Sequence, residues 1–187
     1  MTTPVITAAD LMPKEPQELE LLRTRAEKLA ENQSSGPRAE KQLHYLQFKL
    51  NHNALYGIEQ SLLNEVIYPQ HLVNLAWLPA FVSGVIPWKG MILTVLDGNY
   101  LSTQQTTVSN EQSRIIVLTH QSRSIGLLVN ELCNFVSYSP SQLKTSLQNP
   151  LTFNRAYFLG LLDYSVIFLN VEAIFNDPAL KINHQPQ

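Results

Sequence analysis

The chain has 187 residues, enough for one medium domain or two small ones whose core needs neither a disulfide nor a metal. Its single cysteine, Cys133, cannot form an intramolecular disulfide, which is typical of a protein from a reducing cytoplasm. Thirteen Lys and Arg against 15 Asp and Glu leave a net charge of -2, and this balance argues against a nucleic-acid partner. No apolar run approaches the roughly 18 residues of a membrane span, so we expect a soluble, cytoplasmic protein without membrane insertion.

The charged residues are concentrated at the start of the chain. Residues 1–41 carry 13 of the 28 charged side chains, although they make up less than a quarter of the sequence. The residues that follow must therefore present much of their surface as uncharged polar or apolar groups. Such a surface suits protein contacts better than the binding of a charged metabolite.

Residues 1–40 are predicted to form a helical lead-in and a linker. Pro16 stands where the first helical position would be, and apolar residues follow at helical spacing: Leu19, Leu22, Ala26 and Leu29. The stretch NQSSGPR has the composition of a linker and places a boundary near Gly36. Because an isolated helix of this length is marginal in water, it either docks on the body, binds a partner or stays half-formed.

Beyond residue 42 the hydrophobic pattern changes to period two. Short runs rich in Val, Ile, Leu, Tyr and Phe, bounded by turn residues, predict about ten strands. These strands are YLQFKL, ALYGIE, NEVIYP, GVIPW, MILTVLD, RIIVLT, SIGLLV, NFVSYS, AYFLGLL and SVIFLNV. Short helical turns are expected only near LVNLA, SQLK and VEAIFND.

The order of the strands indicates an internal duplication. The strands YLQFKL and RIIVLT begin 69 positions apart, as do Gly57 and Gly126 in the strands that follow them. Gly84 and Gly160 then each open an apolar hairpin. Because a five-strand sheet with apolar faces tends to close on itself, the repeated unit predicts two small barrels with a groove between them.

Four blocks of the sequence resemble the CheW family of coupling proteins from bacterial chemotaxis. They are LQFKLNHNALYGIEQSLLNEV, LPAFVSGVIPWKGMILTVLD, RIIVLTHQSRSIGLLVNEL and YFLGLLDYSVIFLNVEAIF, and together they span about residues 43–176 in the order of the family. The resemblance implies an all-β fold of two five-stranded SH3-like barrels side by side, preceded here by the N-terminal amphipathic helix. Residues 41–180 would form the CheW-like domain, and residues 181–187 a tail.

The resemblance also implies a function without catalysis, cofactor or metal. Members of the family bridge the cytoplasmic tips of chemoreceptors to the regulatory domain of the histidine kinase CheA, with the receptor tip in the groove and the kinase at the barrel ends. Carried over to this chain, the partner-binding residues are Leu63, Glu65, Trp88, Lys89 and Phe135. The expected role is an adaptor in chemotaxis or twitching motility, at membrane-associated receptor arrays.

Two departures from the family pattern leave an alternative open. The family usually has Asn-Leu-Arg-Gly at its first hairpin tip, and this chain has Pro-Trp-Lys-Gly, so that Lys89 lacks the planar fork of arginine. Thr94 replaces a usual proline, and the second hairpin is shortened at Asp163 and Tyr164. The alternative is a receptor-independent CheW-like module with a structural or regulatory protein-binding role.

Several residues have a structural interpretation beside the functional one. Trp88 either contacts a partner or folds back as a lid on its own barrel, and Glu65 either anchors a receptor contact or is simply solvated. Asp97 is expected to stabilise a turn and Cys133 to fill an apolar site. The histidines lack zinc-ligand spacing, and the sequence has no nucleophile elbow or phosphate loop, so we expect no enzyme activity.

Overall fold

The computed structural model of the protein describes residues 42–51, 54–145 and 154–180. These residues belong to one compact unit, Lys41–Gln187. The lead-in helix predicted within residues 1–40 and the tail at 181–187 lie outside the described residues, and their boundaries stay predictions.

The described residues form eleven β-strands in two sheets, with two short α-helices. The strands are β1 (Leu43–Lys49), β2 (Leu55–Glu59), β3 (Leu63–Ile67), β4 (Val82–Trp88), β5 (Met91–Asp97), β6 (Arg114–His120), β7 (Arg123–Val129), β8 (Glu131–Tyr138), β9 (Leu143–Lys144), β10 (Phe158–Leu162) and β11 (Val166–Leu169). The helices are α1 (Gly98–Thr103) and α2 (Val171–Asn176), and 3₁₀ turns cover Gln60–Leu62, Pro69–His71, Pro140–Gln142, Arg155–Tyr157 and Pro178–Leu180. The mostly β prediction is confirmed.

Three short segments differ from the sequence prediction. The segment LVNLA forms no helical turn, because Val73 pairs with Val85 as an isolated β-bridge. SQLK is half turn and half strand, since the 3₁₀ turn Pro140–Gln142 runs into β9. Helix α1 was not predicted, because its first residue is a glycine and its sequence is typical of a turn. The buried Asp97 caps the helix by accepting hydrogen bonds from the backbone N–H groups of Asn99 and Tyr100.

The two sheets exchange strands between the repeated units, which corrects the prediction that each unit forms its own barrel. The first sheet has the order β8-β1-β2-β11-β10-β9, and the second has the order β3-β6-β7-β5-β4. The first two strands of each unit thus pair with the hairpin of the other unit, through parallel contacts β2–β11 and β5–β7. Periodicity identifies a strand and its buried face but not the strand beside it, so this exchange is invisible in the sequence.

Neither sheet closes into a complete barrel, which corrects the second part of that prediction. In the second sheet, β3 and β4 are both edge strands, and the chain that follows β3 crosses the gap to place Val73 beside Val85. In the first sheet the chain after β8 does the same through β9, which pairs with β10. Gly84 and Gly160 lie directly beneath these crossings, where a Cβ would overlap the carbonyl oxygens of Val73 and Lys144.

The hydrophobic core joins the two sheets. Its largest cluster contains buried residues of both, including Leu46, Phe48 and Ile58 from the first sheet and Ile116, Leu118 and Leu127 from the second. Each sheet also has a smaller cluster of its own. Strand β6 shows how one strand serves both, since Ile115 and Val117 belong to the cluster of the second sheet while alternate residues enter the shared cluster.

Candidate functional site

The tip of the β4–β5 hairpin is a two-residue turn. Trp88 ends β4 opposite Met91, and the residues between them, Lys89 and Gly90, have φ angles of 47° and 78°. Positive φ at both central residues is the geometry of a type I′ turn, whose twist matches that of the flanking strands. Glycine adopts this region freely, whereas a lysine there is uncommon.

The sequence left two arrangements open for Trp88, a partner contact and a lid over its own sheet, and the structure shows the lid. Inward-facing residues alternate along β4, and Trp88 continues this row at the hairpin tip. Its side chain is 8% exposed and packs with Ile86, Leu93, Val95 and other residues of the second sheet's cluster. The indole Nε1–H is directed at Glu65 and donates a hydrogen bond to its Oε1. The ring therefore closes the end of the sheet while its polar edge reaches β3.

Lys89 turns back over the same place. Its Nζ donates to Asn64 Oδ1 at 3.0 Å, lies 3.5 Å from Glu65 Oε1 and stands 4.5 Å from the centroid of the Trp88 ring. The side chains of Lys89 and Glu65 are 56% and 35% exposed. An ion pair this exposed stabilises a fold by only about 0–1 kcal/mol. The Lys89–Glu65 pair therefore adds little to stability and is mainly a feature of the protein surface.

A β-bulge brings two consecutive residues of β3 to the tip. The pairing of β3 with β6 shifts register between Leu63 and Glu65, so that Asn64 is an extra residue on the bulged strand. In a regular strand, neighbouring side chains point to opposite faces, but here both Asn64 and Glu65 contact Lys89. Sequence reasoning missed Asn64, because neither composition nor period two reveals a bulge.

The remaining predicted site residues lie elsewhere. Leu63 is half-buried, faces Leu118 across the ladder and packs against the shared core cluster. Phe135 lies on β8 in the first sheet, opposite Leu46, with 54% of its surface exposed. The structure therefore brings together Glu65, Trp88 and Lys89, and it leaves Phe135 as an exposed ring on the other sheet.

Beside the Glu65–Lys89 pair, the end of β3 presents exposed apolar side chains. Val66 and Tyr68 are exposed, and the Arg114 guanidinium lies 4.1 Å from the centroid of the Tyr68 ring. A strand edge with an exposed aromatic ring and charged neighbours has the composition of a protein-contact surface. The sequence offered a signal for it in NEVIYP, where apolar residues stand on both sides of the strand.

The shortened second hairpin has a tip of similar construction. Asp163 and Tyr164 also have positive φ angles, of 47° and 58°. Lys144 lies over the exposed Tyr164 ring, 4.4 Å from its centroid, and Gln142 Nε2 donates to the Asp163 carboxylate. Burial raises the pKa of Tyr45, and the negative charge of Asp163 adds to this effect. Each sheet thus ends in a lysine stacked on an aromatic ring.

A cavity of about 410 Å³ lies between the second sheet and α2. Exposed Met91 and Ile92 line one side, and Phe175 lines the other. Arg123 closes one end by donating to the carbonyl oxygen of Phe175 at 2.9 Å and to Asn176 Oδ1 at 3.1 Å. The guanidinium thereby satisfies a carbonyl group at the C-terminal end of α2 and links β7 to this helix.

Of two predictions about single residues, that for Asp97 is confirmed and the apolar role of Cys133 stays a prediction. Asp97 is buried and accepts hydrogen bonds from the backbone N–H groups of Asn99, Tyr100 and Thr107, so it stabilises the turn into α1. Cys133 is half-buried, and burial raises the pKa of its thiol although the nearby Lys49 opposes this. A raised pKa gives no sign of an activated thiolate.

Within the ranges that the structure describes, no group of three His, Cys, Asp or Glu side chains could hold a metal ion. No helix in those ranges is both long and apolar enough to cross a membrane.

A model of the CheW-like domain matches residues 44–179, which is most of the chain. The protein belongs to the CheW-like family. A chemotaxis protein CheW from Klebsiella aerogenes is 26% identical to this CheW-like chain over 109 residues, covering 58% of the chain and 66% of that relative. The chain thus spans just under two thirds of the length of this relative.

A solved structure shares the fold of the CheW-like chain. The scaffolding protein TtCheW from Thermoanaerobacter tengcongensis superposes with a TM-score of 0.66 at 18% identity, covering 79% of this chain and 96% of that one. The family resemblance predicted from the four sequence blocks is confirmed by the match of the domain model over residues 44–179.

Proposed function

We propose that the protein is a non-catalytic adaptor that couples chemoreceptors to a CheA-type histidine kinase in chemotaxis or twitching motility. The observation that carries the proposal is the family match over residues 44–179, because members of the CheW family are scaffold proteins. The adaptor would act in the cytoplasm, at membrane-associated receptor arrays, and needs no cofactor.

The surface chemistry of the described residues supports a protein partner. Glu65 and Lys89 form a partly exposed charged pair at the hairpin tip, and exposed apolar side chains follow it at Val66 in β3 and at Tyr68 just after β3. Interfaces of this kind combine aromatic anchors with a charged rim. We propose that a receptor tip contacts this region together with Leu63, and that Phe135 contributes from the other sheet.

The kinase regulatory domain is the second proposed partner. By family resemblance it contacts the ends of the sheets, and the tip of the second hairpin lies on the other sheet from the pair proposed for the receptor, with Lys144 over the Tyr164 ring. This tip offers the kinase domain one exposed cation beside an exposed aromatic ring. The interfaces are expected to be small, so an affinity in the micromolar range, about -8 kcal/mol, is the expected magnitude.

The test is calorimetric titration of the full chain with two fragments from the same bacterium, a receptor tip and a CheA regulatory domain. An adaptor binds both, and the two bind together in one complex. Binding of the kinase domain alone favours the alternative, a receptor-independent CheW-like module. No binding of either fragment at about a hundred micromolar would contradict both functions.

A further inference from the structure

The backbone conformation of Lys89 is unusual for its residue type. Lys89 stands at φ 47°, in the left-handed region, at a turn position that asparagine or glycine fills more easily. Glycine does follow it at position 90, in the second central place of the turn. Such a conformation persists only where the surrounding structure holds it, so the contacts of the Lys89 side chain decide what it does.

Three contacts hold the Lys89 ammonium in place. Asn64 Oδ1 accepts from it at 3.0 Å, Glu65 Oε1 lies 3.5 Å away, and the Trp88 ring centroid is 4.5 Å below it. Trp88 therefore touches both members of the charged pair, because its ring face attracts the cation while its Nε1–H donates to the carboxylate. Burial of the indole among core residues fixes its orientation, so both contacts are made by a rigid group.

We propose that Trp88 and Asn64 are positioning residues that hold the Glu65 carboxylate and the Lys89 ammonium in one arrangement before a partner binds. The inference rests on the proposed function, since it assumes that a partner contacts this pair. A lysine or glutamate on a surface loses side-chain entropy when a partner immobilises it. Fixing both groups in the free protein removes this cost from binding.

The pair still has groups to offer a partner. Among the residues that the structure describes, Glu65 Oε2 accepts no hydrogen bond. The Lys89 ammonium donates one hydrogen bond, to Asn64, and forms an ion pair with Glu65, so it still has N–H donors for a partner. The matching partner surface brings a hydrogen-bond donor to Glu65 and an acceptor to Lys89, side by side.

The test uses variants that separate positioning from packing. Trp88→Phe keeps an aromatic ring in the core but lacks the N–H that holds Glu65. Binding of the receptor-tip fragment is measured well below the melting temperature for Trp88→Phe, Glu65→Ala and the double variant. We expect each single change to weaken binding about tenfold, and the double change to weaken it no further, because the indole acts through the carboxylate.

Trp77→Phe is the matched control, because Trp77 is 60% exposed and the change is chemically the same. It should leave binding unchanged. Asn64→Ala should also weaken binding about tenfold, and Asn64→Ser should restore part of it by keeping an oxygen near Lys89. Unchanged binding in Trp88→Phe, or losses that add in the double variant, would overturn the proposal.

The arrangement of Trp88 and Glu65 can also be tested without a partner, so that its outcome does not depend on the proposed function. In the Trp77→Phe background, the indole proton signal in a nitrogen–proton correlation spectrum belongs to Trp88. We expect this proton to exchange slowly with solvent, and Glu65→Ala to make it exchange faster. If the full chain binds neither fragment but this coupling is present, the proposed function fails and the arrangement of the pair stands. An exchange rate that Glu65→Ala does not change would overturn the arrangement as well.

Discussion

Lys89 has a strained backbone conformation that places its ammonium beside Glu65. Replacing it by asparagine, in Lys89→Asn, should relieve about 1 kcal/mol of left-handed strain and lose an exposed ion pair and ring contact of similar total value. We therefore expect the free energy of unfolding to stay within about 0.5 kcal/mol of the wild type, while receptor-tip binding falls about tenfold. Urea denaturation and calorimetric titration measure the two quantities separately.

The control for this prediction is Lys144→Asn. Lys144 also lies over an aromatic ring, but it belongs to β9 and to the tip of the other sheet. Receptor-tip binding should not respond to Lys144→Asn. Equal losses for the two variants would show that net charge, and not the position of one ammonium, governs the contact.

Asp177 makes stability depend on acid pH. The Tyr157 hydroxyl donates to its Oδ2 at 2.5 Å, and this bond, followed by that from the Ala179 N–H, lowers the pKa of Asp177. The pKa of Asp177 in the folded protein lies below its unfolded value near 3.8. The ionised carboxylate therefore contributes its full share of the folding free energy above pH 3.8, and this share is lost as the pH falls through the pKa of the folded protein. Asp177→Asn should therefore flatten the stability profile below about pH 4.

The measurement is urea denaturation of the wild type and Asp177→Asn at pH 7 and pH 3. The difference in unfolding free energy between the two proteins should shrink at the lower pH. Tyr157→Phe serves as the control, since it removes the largest cause of the shift and keeps the carboxyl. A difference that is the same at both pH values would refute the assignment.

At the scale of the elements, the crossings over the two hairpins depend on glycine. A Cβ on Gly84 or Gly160 would overlap a backbone carbonyl of the crossing segment, which cannot move as a side chain can. Gly84→Ala and Gly160→Ala should each lower the free energy of unfolding by about 2 kcal/mol or more, within the range for overpacked sites. Thermal and urea denaturation both report this.

Comparison of Gly90→Ala with Gly160→Ala separates backbone strain from overlap, because Gly84 has a positive φ of 153° as well as the overlap and Gly160 has the overlap alone. Gly90 has a φ of 78° but nothing within 4 Å of an added Cβ, so its substitution should cost only about 1–2 kcal/mol. A smaller loss of unfolding free energy at Gly160 than at Gly90 would mean that the crossing segment shifts to make room for the added Cβ.

At the scale of the whole molecule, strand exchange makes the two sheets one cooperative unit. Each sheet draws strands from both repeated units, and the largest core cluster contains residues of both sheets. Neither residues 42–104 nor residues 114–180 should fold alone, because each fragment keeps its own hairpins but lacks the strands of the other fragment that lie beside them in both sheets. Far-ultraviolet circular dichroism of the separate fragments and of their mixture measures this, and only the mixture should recover a β spectrum.

Tryptophan fluorescence gives an independent check on the intact chain. In Trp77→Phe, Trp88 is the one remaining tryptophan and belongs to the cluster of the second sheet, whereas circular dichroism reports both sheets. One transition with the same midpoint by both probes is expected for two-state unfolding. Two separated transitions would show that the sheets are independent in spite of the exchange.

The candidate site was partly accessible from the sequence. The resemblance pointed to Glu65 and Lys89, and the odd Pro-Trp-Lys-Gly tip singled out Trp88, all of which meet in the structure. Asn64 could not be found, because a β-bulge alone brings it to the tip. Whether Trp88 forms a lid or contacts a partner also depended on its packing against residues that are distant in the sequence, which no local pattern predicts.

The sequence by itself determined the strands, the two hairpins and the repeated unit, because alternation, turn residues and glycine positions are local properties of the chain. It also determined the family, through blocks spread over residues 43–176. Only the tertiary structure decided that the units exchange strands, that neither sheet closes, and that Asn64 joins Glu65 beside Lys89. These depend on pairing between segments far apart in the chain, where the free energy comes from shared burial and backbone hydrogen bonds that neither segment carries alone.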